Sequence, residues 1–105
     1  MVVEINTNNF ESEVVNHQGI TVVDFFADWC GPCRKLGPIL EEVEQELSSR
    51  VKFTKISTDN NIEMAKKYQV SGLPTLMVFK NGEPAERMVG LMPKSSIITN
   101  IEKHI

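Results

Sequence analysis

The chain has 105 residues, 41% of them hydrophobic and 24% charged, with a formal net charge of -3. A single domain over residues 1–105 is the expectation, since domains commonly run to about 100 to 150 residues, and the composition excludes a disordered chain or a disulfide scaffold. Acidic and basic residues are interspersed, which excludes a Lys/Arg stripe for nucleic acid, and no stretch approaches the ~20 apolar residues of a membrane span.

Met1-Val2-Val3-Glu4-Ile5 lacks a basic segment ahead of a long apolar run, so no export signal is read and cytoplasmic residence is the expectation. Val2 to Ile5 reads as a short first strand. Asn8 and Glu11 have the spacing of a helix N-cap and its return partner, which predicts a short helix to about Val15 and a turn at Gly19. Thr21 to Ala27 is nearly continuously apolar, rich in β-branched and aromatic residues, and suits a central strand buried on both faces. Asp24 is its exception. After Cys33, the residues Leu36, Ile39, Leu40, Val43 and Leu47 recur at helical spacing, and Pro38 inside that helix predicts a kink, loosened by Gly37.

Val51 to Ser57 reads as a third strand. Asn60 and Glu63 repeat the cap spacing and predict a short helix through Tyr68. Thr75 to Phe79 forms a fourth strand, and Asn81-Gly82 is a strong hairpin signal leading into a fifth from about Pro84 to Val89. Pro93 opens a last helix that buries Ile97, Ile98 and Ile101. The order β-α-β-α-β-α-β-β-α implies an α/β domain of parallel strands joined by right-handed crossovers, then an antiparallel hairpin edge.

The chain's two cysteines, Cys30 and Cys33, fall where the buried strand ends and the long helix begins. There the unpaired N–H groups and the positive end of the helix dipole stabilise a thiolate on Cys30, while Cys33, one turn on, is more shielded and can attack a mixed disulfide. A zinc site is the alternative, but it takes four ligands, and only His17 and His104 remain, neither at the partner spacing. Both histidines read as surface residues, and the five methionines as scattered core fillers or exposed residues.

Phe25-Phe26-Ala27-Asp28-Trp29-Cys30-Gly31-Pro32-Cys33 resembles the thioredoxin signature. The resemblance continues through Gly72-Leu73-Pro74-Thr75, Phe79-Lys80-Asn81-Gly82 and Val89-Gly90. It implies a five-stranded mixed sheet of order 1-3-2-4-5 flanked by four helices. It also implies reduction of protein disulfides through Cys30 and Cys33, with no cofactor, by a monomer recharged by a thioredoxin reductase; a donor using NADPH or ferredoxin stays open. Phe26 stands where many bacterial members carry a second Trp, Arg34 where Lys is common, and Gly37 is unusual for the family.

Mid-strand burial should raise the Asp24 pKa by desolvation, the alternative being an exposed strand-end Asp. By resemblance, Asp24 exchanges a proton with Cys33, with Lys55 on the neighbouring strand as its charge partner or as an ordinary solvated lysine. The resemblance makes the Leu73-Pro74 bond cis, against a trans turn proline, and lets Leu73 offer its backbone to a target strand. Trp29, Gly31, Pro32, Gly72, Leu73, Gly90 and Leu91 would converge on an apolar surface around Cys30, the alternative for Trp29 being ordinary core. Two rivals remain: an oxidase or isomerase of the same fold, and a non-catalytic docking subunit.

Overall fold

In a computed structural model that describes residues 1–105, the apolar run Ile20–Phe26 forms β2, the central strand of one five-stranded sheet. It pairs in parallel with β3 (Val51–Ser57) and antiparallel with β4 (Thr75–Lys80). β1 (Val3–Ile5) lies parallel to β3 along one edge, and β5 (Glu83–Val89) runs antiparallel to β4 along the other, giving the order β1-β3-β2-β4-β5. The order is the one that the resemblance implies. The direction of β4 corrects the reading from element order, which made it parallel to its predecessors. Between β3 and β4 stands only α2 (Ile62–Lys67). Ser57 lies opposite Phe26 and Thr75 opposite Phe25, so β4 enters the sheet at the end where β3 leaves it, and the link through α2 turns there instead of carrying the chain back along the sheet.

Alternation along the strands divides the core in two. Val22, Leu76 and Val78 face α1 (Gly31–Leu47) and α3 (Lys94–Glu102), packing on Leu36, Leu40 and Ile97. Val23, Phe25, Met77 and Phe79 face the other way, toward Phe10 and Tyr68, whose ring centroids are 5.3 Å apart. Asp24 shares the α1 face with Val22. Its register partner on β3 is Lys55, which brings a carboxyl and an ammonium to adjacent strands at the same level of the sheet.

Both N-cap assignments made from spacing are corrected. Glu11–Val15 is a single wide π-helical turn entered from Phe10, and Asn8 caps nothing. Asn6 turns the chain instead, its Oδ1 accepting from the Asn8 and Asn9 amides at 2.8 and 3.2 Å. Asn61, rather than Asn60, precedes α2, and its side chain is spent elsewhere. It accepts from the Thr7 amide at 2.8 Å and donates to the Ser57 carbonyl at 2.9 Å. The histidines are half-buried, and His104 meets Glu86 at 2.9 Å.

Asn81 and Gly82 take positive φ values of 52° and 83°, as a tight hairpin between right-twisted strands requires. A Cβ on Gly82 would also overlap the Val15 carbonyl. On β5, the Arg87 guanidinium donates to the carbonyls of Tyr68 and Gln69, which the end of α2 leaves without helical donors.

Candidate functional site

Cys30 is the N-cap of α1, in extended backbone conformation, and Pro32 lies in the first turn where its missing N–H is no loss. The Cys30 Sγ accepts from the Cys33 amide at 3.2 Å, so the sulfur does for this helix what a Ser or Asp oxygen usually does. A sulfur that receives an N–H at the positive end of a helix is one whose anionic form is stabilised. Cys30 and Cys33 are joined as a disulfide, with Cα atoms 5.2 Å apart.

The expectation that Cys33 is the more shielded thiol is corrected, since Cys30 is 5% exposed and Cys33 6%. What separates them is direction. Cys30 lines a cleft of about 480 Å³ with Trp29, Gly31, Pro32, Val70 and Leu73. Cys33 lines a second cleft, of about 230 Å³, with Asp24, Asp28, Arg34 and Lys55. The disulfide and Ala27 form a small apolar cluster of their own, apart from the two larger cores, with Phe26 and Leu73 packed against it.

Asp24 is 4% exposed and its Oδ1 has no hydrogen-bond partner. Burial pushes its pKa up to about 7, against the opposing pull of the Lys55 charge. Lys55 is half-buried, its Nζ 5.7 Å from the centre of the Phe26 ring.

The thioredoxin family model matches residues 1–103. The chain is 43% identical to a thioredoxin of Rickettsia bellii over the whole length of both. It is 39% identical to a thioredoxin of Pyropia yezoensis, covering 99% of this chain and 97% of that one. Thioredoxin 1 of a Nostoc species is 36% identical over 97% of this chain and 95% of its own.

The chain belongs to the thioredoxin family.

Membership, with the two cysteines joined at the head of α1, makes it a dithiol-disulfide oxidoreductase that reduces protein disulfides. The family implies disulfide-containing targets and a reductase that returns the electrons. No helix is long and apolar enough to cross a membrane.

Of the residues assigned to a docking surface, Trp29, Gly31, Pro32 and Leu73 share the cleft of Cys30, whereas Gly72, Pro74, Gly90 and Leu91 are not among its walls. Pro74 is buried behind it, after a cis Leu73-Pro74 bond, and its carbonyl accepts from the Gly90 amide at 2.8 Å. Gly72 packs under Val89, and Leu91 is exposed nearby in sequence. Trp29 is 69% exposed and is not core.

Thr58, Asp59, Val70 and Ser71 were missed by the sequence reading. Thr58, Val70 and Ser71 complete the cleft, and Asp59 accepts from the Trp29 indole N–H at 2.8 Å. A polar Thr-Asp step directly after a strand, at the end of the sheet that carries the motif, is the signal that could have found the first two.

Proposed function

We propose that Cys30 is the attacking thiol, Cys33 the resolving thiol and Asp24 the group that takes the Cys33 proton, in a single domain of residues 1–105 acting as a monomer. One observation carries this reading: the two cysteines line different clefts, one without charged side chains, the other holding a buried carboxyl. The Cys30 thiolate displaces one sulfur of a target disulfide and forms a mixed disulfide. Asp24 removes the Cys33 proton, and the Cys33 thiolate displaces the target from Cys30 and leaves the enzyme oxidised. Lys55 lowers the Asp24 pKa and keeps a usable share of it ionised near neutral pH.

Trp29, Gly31, Pro32 and Leu73 receive an extended target segment, with Leu73 offering backbone hydrogen bonds as an added strand would require. Gly72, Pro74, Gly90 and Leu91 hold the shape of that shelf from behind and beside it. The chemistry needs no cofactor. Interspersed charge and a net of -3 support a protein-directed role away from nucleic acid, and a reducing compartment such as the cytoplasm suits a dithiol that must be returned to its reduced state.

Reduction of insulin disulfides by dithiothreitol tests the reading. The chain should accelerate it catalytically, and failure to do so would leave a docking subunit as the better account. A reduction potential above that of the glutathione couple would make the chain an oxidant instead.

A further inference from the structure

Gly37 lies inside α1, where glycine is the poorest helix former after proline. Neither usual reason for a glycine holds there. Its φ is not left-handed, and a Cβ built on it meets no atom within 4 Å.

Its place relative to the redox pair is informative. Gly37 is four residues after Cys33, so the two share one face of α1, a single turn apart. It also forms part of the wall of the cleft that holds Asp24, Cys33 and Lys55. Helical side chains lean toward the helix N-terminus and cover the turn before them. Any side chain at position 37 would therefore lie toward Cys33 and across the cleft.

The cleft's volume of about 230 Å³ is room for several water molecules at about 30 Å³ each. Its charged walls, Asp24, Asp28, Arg34 and Lys55, can hold them by hydrogen bonds. The buried Asp24 Oδ1, which has no protein partner, is the group such a path would serve.

We propose that the missing side chain of Gly37 keeps open the route by which Asp24 gives up its proton to solvent. This rests on the reading of Asp24 as the proton acceptor. In each turnover the Cys33 thiol loses its proton to the Asp24 carboxylate, the Cys33 thiolate forms the bond to Cys30 as the Cys30–target bond breaks, and the target leaves with that electron pair as a thiolate. Asp24, with a pKa of about 7, is protonated in roughly half of the reduced molecules at neutral pH, and in those it must lose that proton to solvent before it can take the one on Cys33 and the mixed disulfide can decay.

The reduced protein is mixed with a peptide disulfide and quenched in acid at intervals, and the mixed disulfide is counted by mass spectrometry. The Asp24 titration is followed in parallel by carboxyl-carbon NMR. Gly37→Ala and Gly37→Leu should form the mixed disulfide as fast as the native protein. Its decay should slow about twofold in Gly37→Ala and roughly tenfold in Gly37→Leu, a partial loss of the 10² to 10⁴ that positioned acid-base groups contribute. The Asp24 titration should move upward in the same order as the cleft closes. Gly37→Ala replaces a poor helix former with the best one in open space, so its folding is secure. If Asp24→Asn slows the decay while both Gly37 variants decay at the native rate, the route is overturned and the role of Asp24 stands. If Asp24→Asn leaves the decay unchanged, the role of Asp24 falls and the route falls with it.

Discussion

Cys30 and Cys33 are three residues apart and almost equally buried, yet they look onto different media. The cleft beside Cys30 is walled by Trp29, Pro32, Val70 and Leu73 and holds no charged side chain, while that beside Cys33 is walled by Asp24, Asp28, Arg34 and Lys55. Apolar contact can accept many target segments without reading their sequence. Proton transfer needs charge held at a fixed place beside the thiol and apart from the surface that meets the target. Setting one cysteine at the cap of α1 and the other one turn inside it lets a single helix start serve both needs.

Exchanging the cysteines' roles is the strongest way to break this comparison. Cys30→Ser should lose disulfide reduction almost entirely. Cys33→Ser should attack once and then accumulate as a covalent adduct with targets, visible on a non-reducing gel and released by dithiothreitol. Trapping by Cys30→Ser and not by Cys33→Ser would reverse the assignment.

The charged side is tested next. Asp24 titrates near 7 in the folded state against 3.8 for an unperturbed carboxyl, so the unfolded chain releases this proton first as pH rises. The stability tied to protonated Asp24 is therefore complete below pH 3.8 and is lost as pH rises to about 7. At 1.4 kcal/mol per pH unit the loss is on the order of 4 kcal/mol. Asp24→Asn should remove most of that loss, raising stability in denaturant melts at pH 8 and leaving it little changed near pH 3, while turnover falls. Equal melts at both pH values would show that Asp24 is solvated.

Lys55→Met gives a smaller effect of the same kind. Without the ammonium, the Asp24 titration should move up by about one pH unit, and the pH profile of turnover should follow it. Trp29→Ala sharpens the apolar side. Targets should bind more weakly, seen as a raised KM. Because the indole bond to Asp59 is exposed, stability should change by less than about 1 kcal/mol in thermal melts.

Much of this division was legible in the sequence. The run around Asp24 announced a strand buried on both faces and a carboxyl in the wrong medium, and the cysteines at the following helix start announced the chemistry. The strand order came from the family resemblance alone, because pairing across a sheet is not written in local periodicity. The caps were misread because Asn6, Asn8, Asn9, Asn60 and Asn61 offer similar local patterns, and tertiary partners such as Thr7 and Ser57 choose among them. Equal burial of the two cysteines was hidden for a related reason. Leu73, which packs against the cluster of Ala27 and the two cysteines, comes from a distant segment. The bond between His104 and Glu86 joins the end of the chain to an edge strand and leaves no spacing signature.

The contact of Arg87 with the end of α2 bears on which targets the chain can serve. Its guanidinium ties the Tyr68 and Gln69 carbonyls to the sheet, so the segment leading into Leu73 starts from a fixed point. A shelf held in place before its guest arrives loses little conformational entropy on binding, and the ordering penalty then falls on the guest. If targets lie over Leu73 as proposed, native disulfides locked inside a rigid framework cannot straighten there without unfolding. On that reading, selection among substrates is made by the substrates' own local stability: a cystine in a segment that already frays should be reduced ahead of one in a taut core, whatever residues surround it.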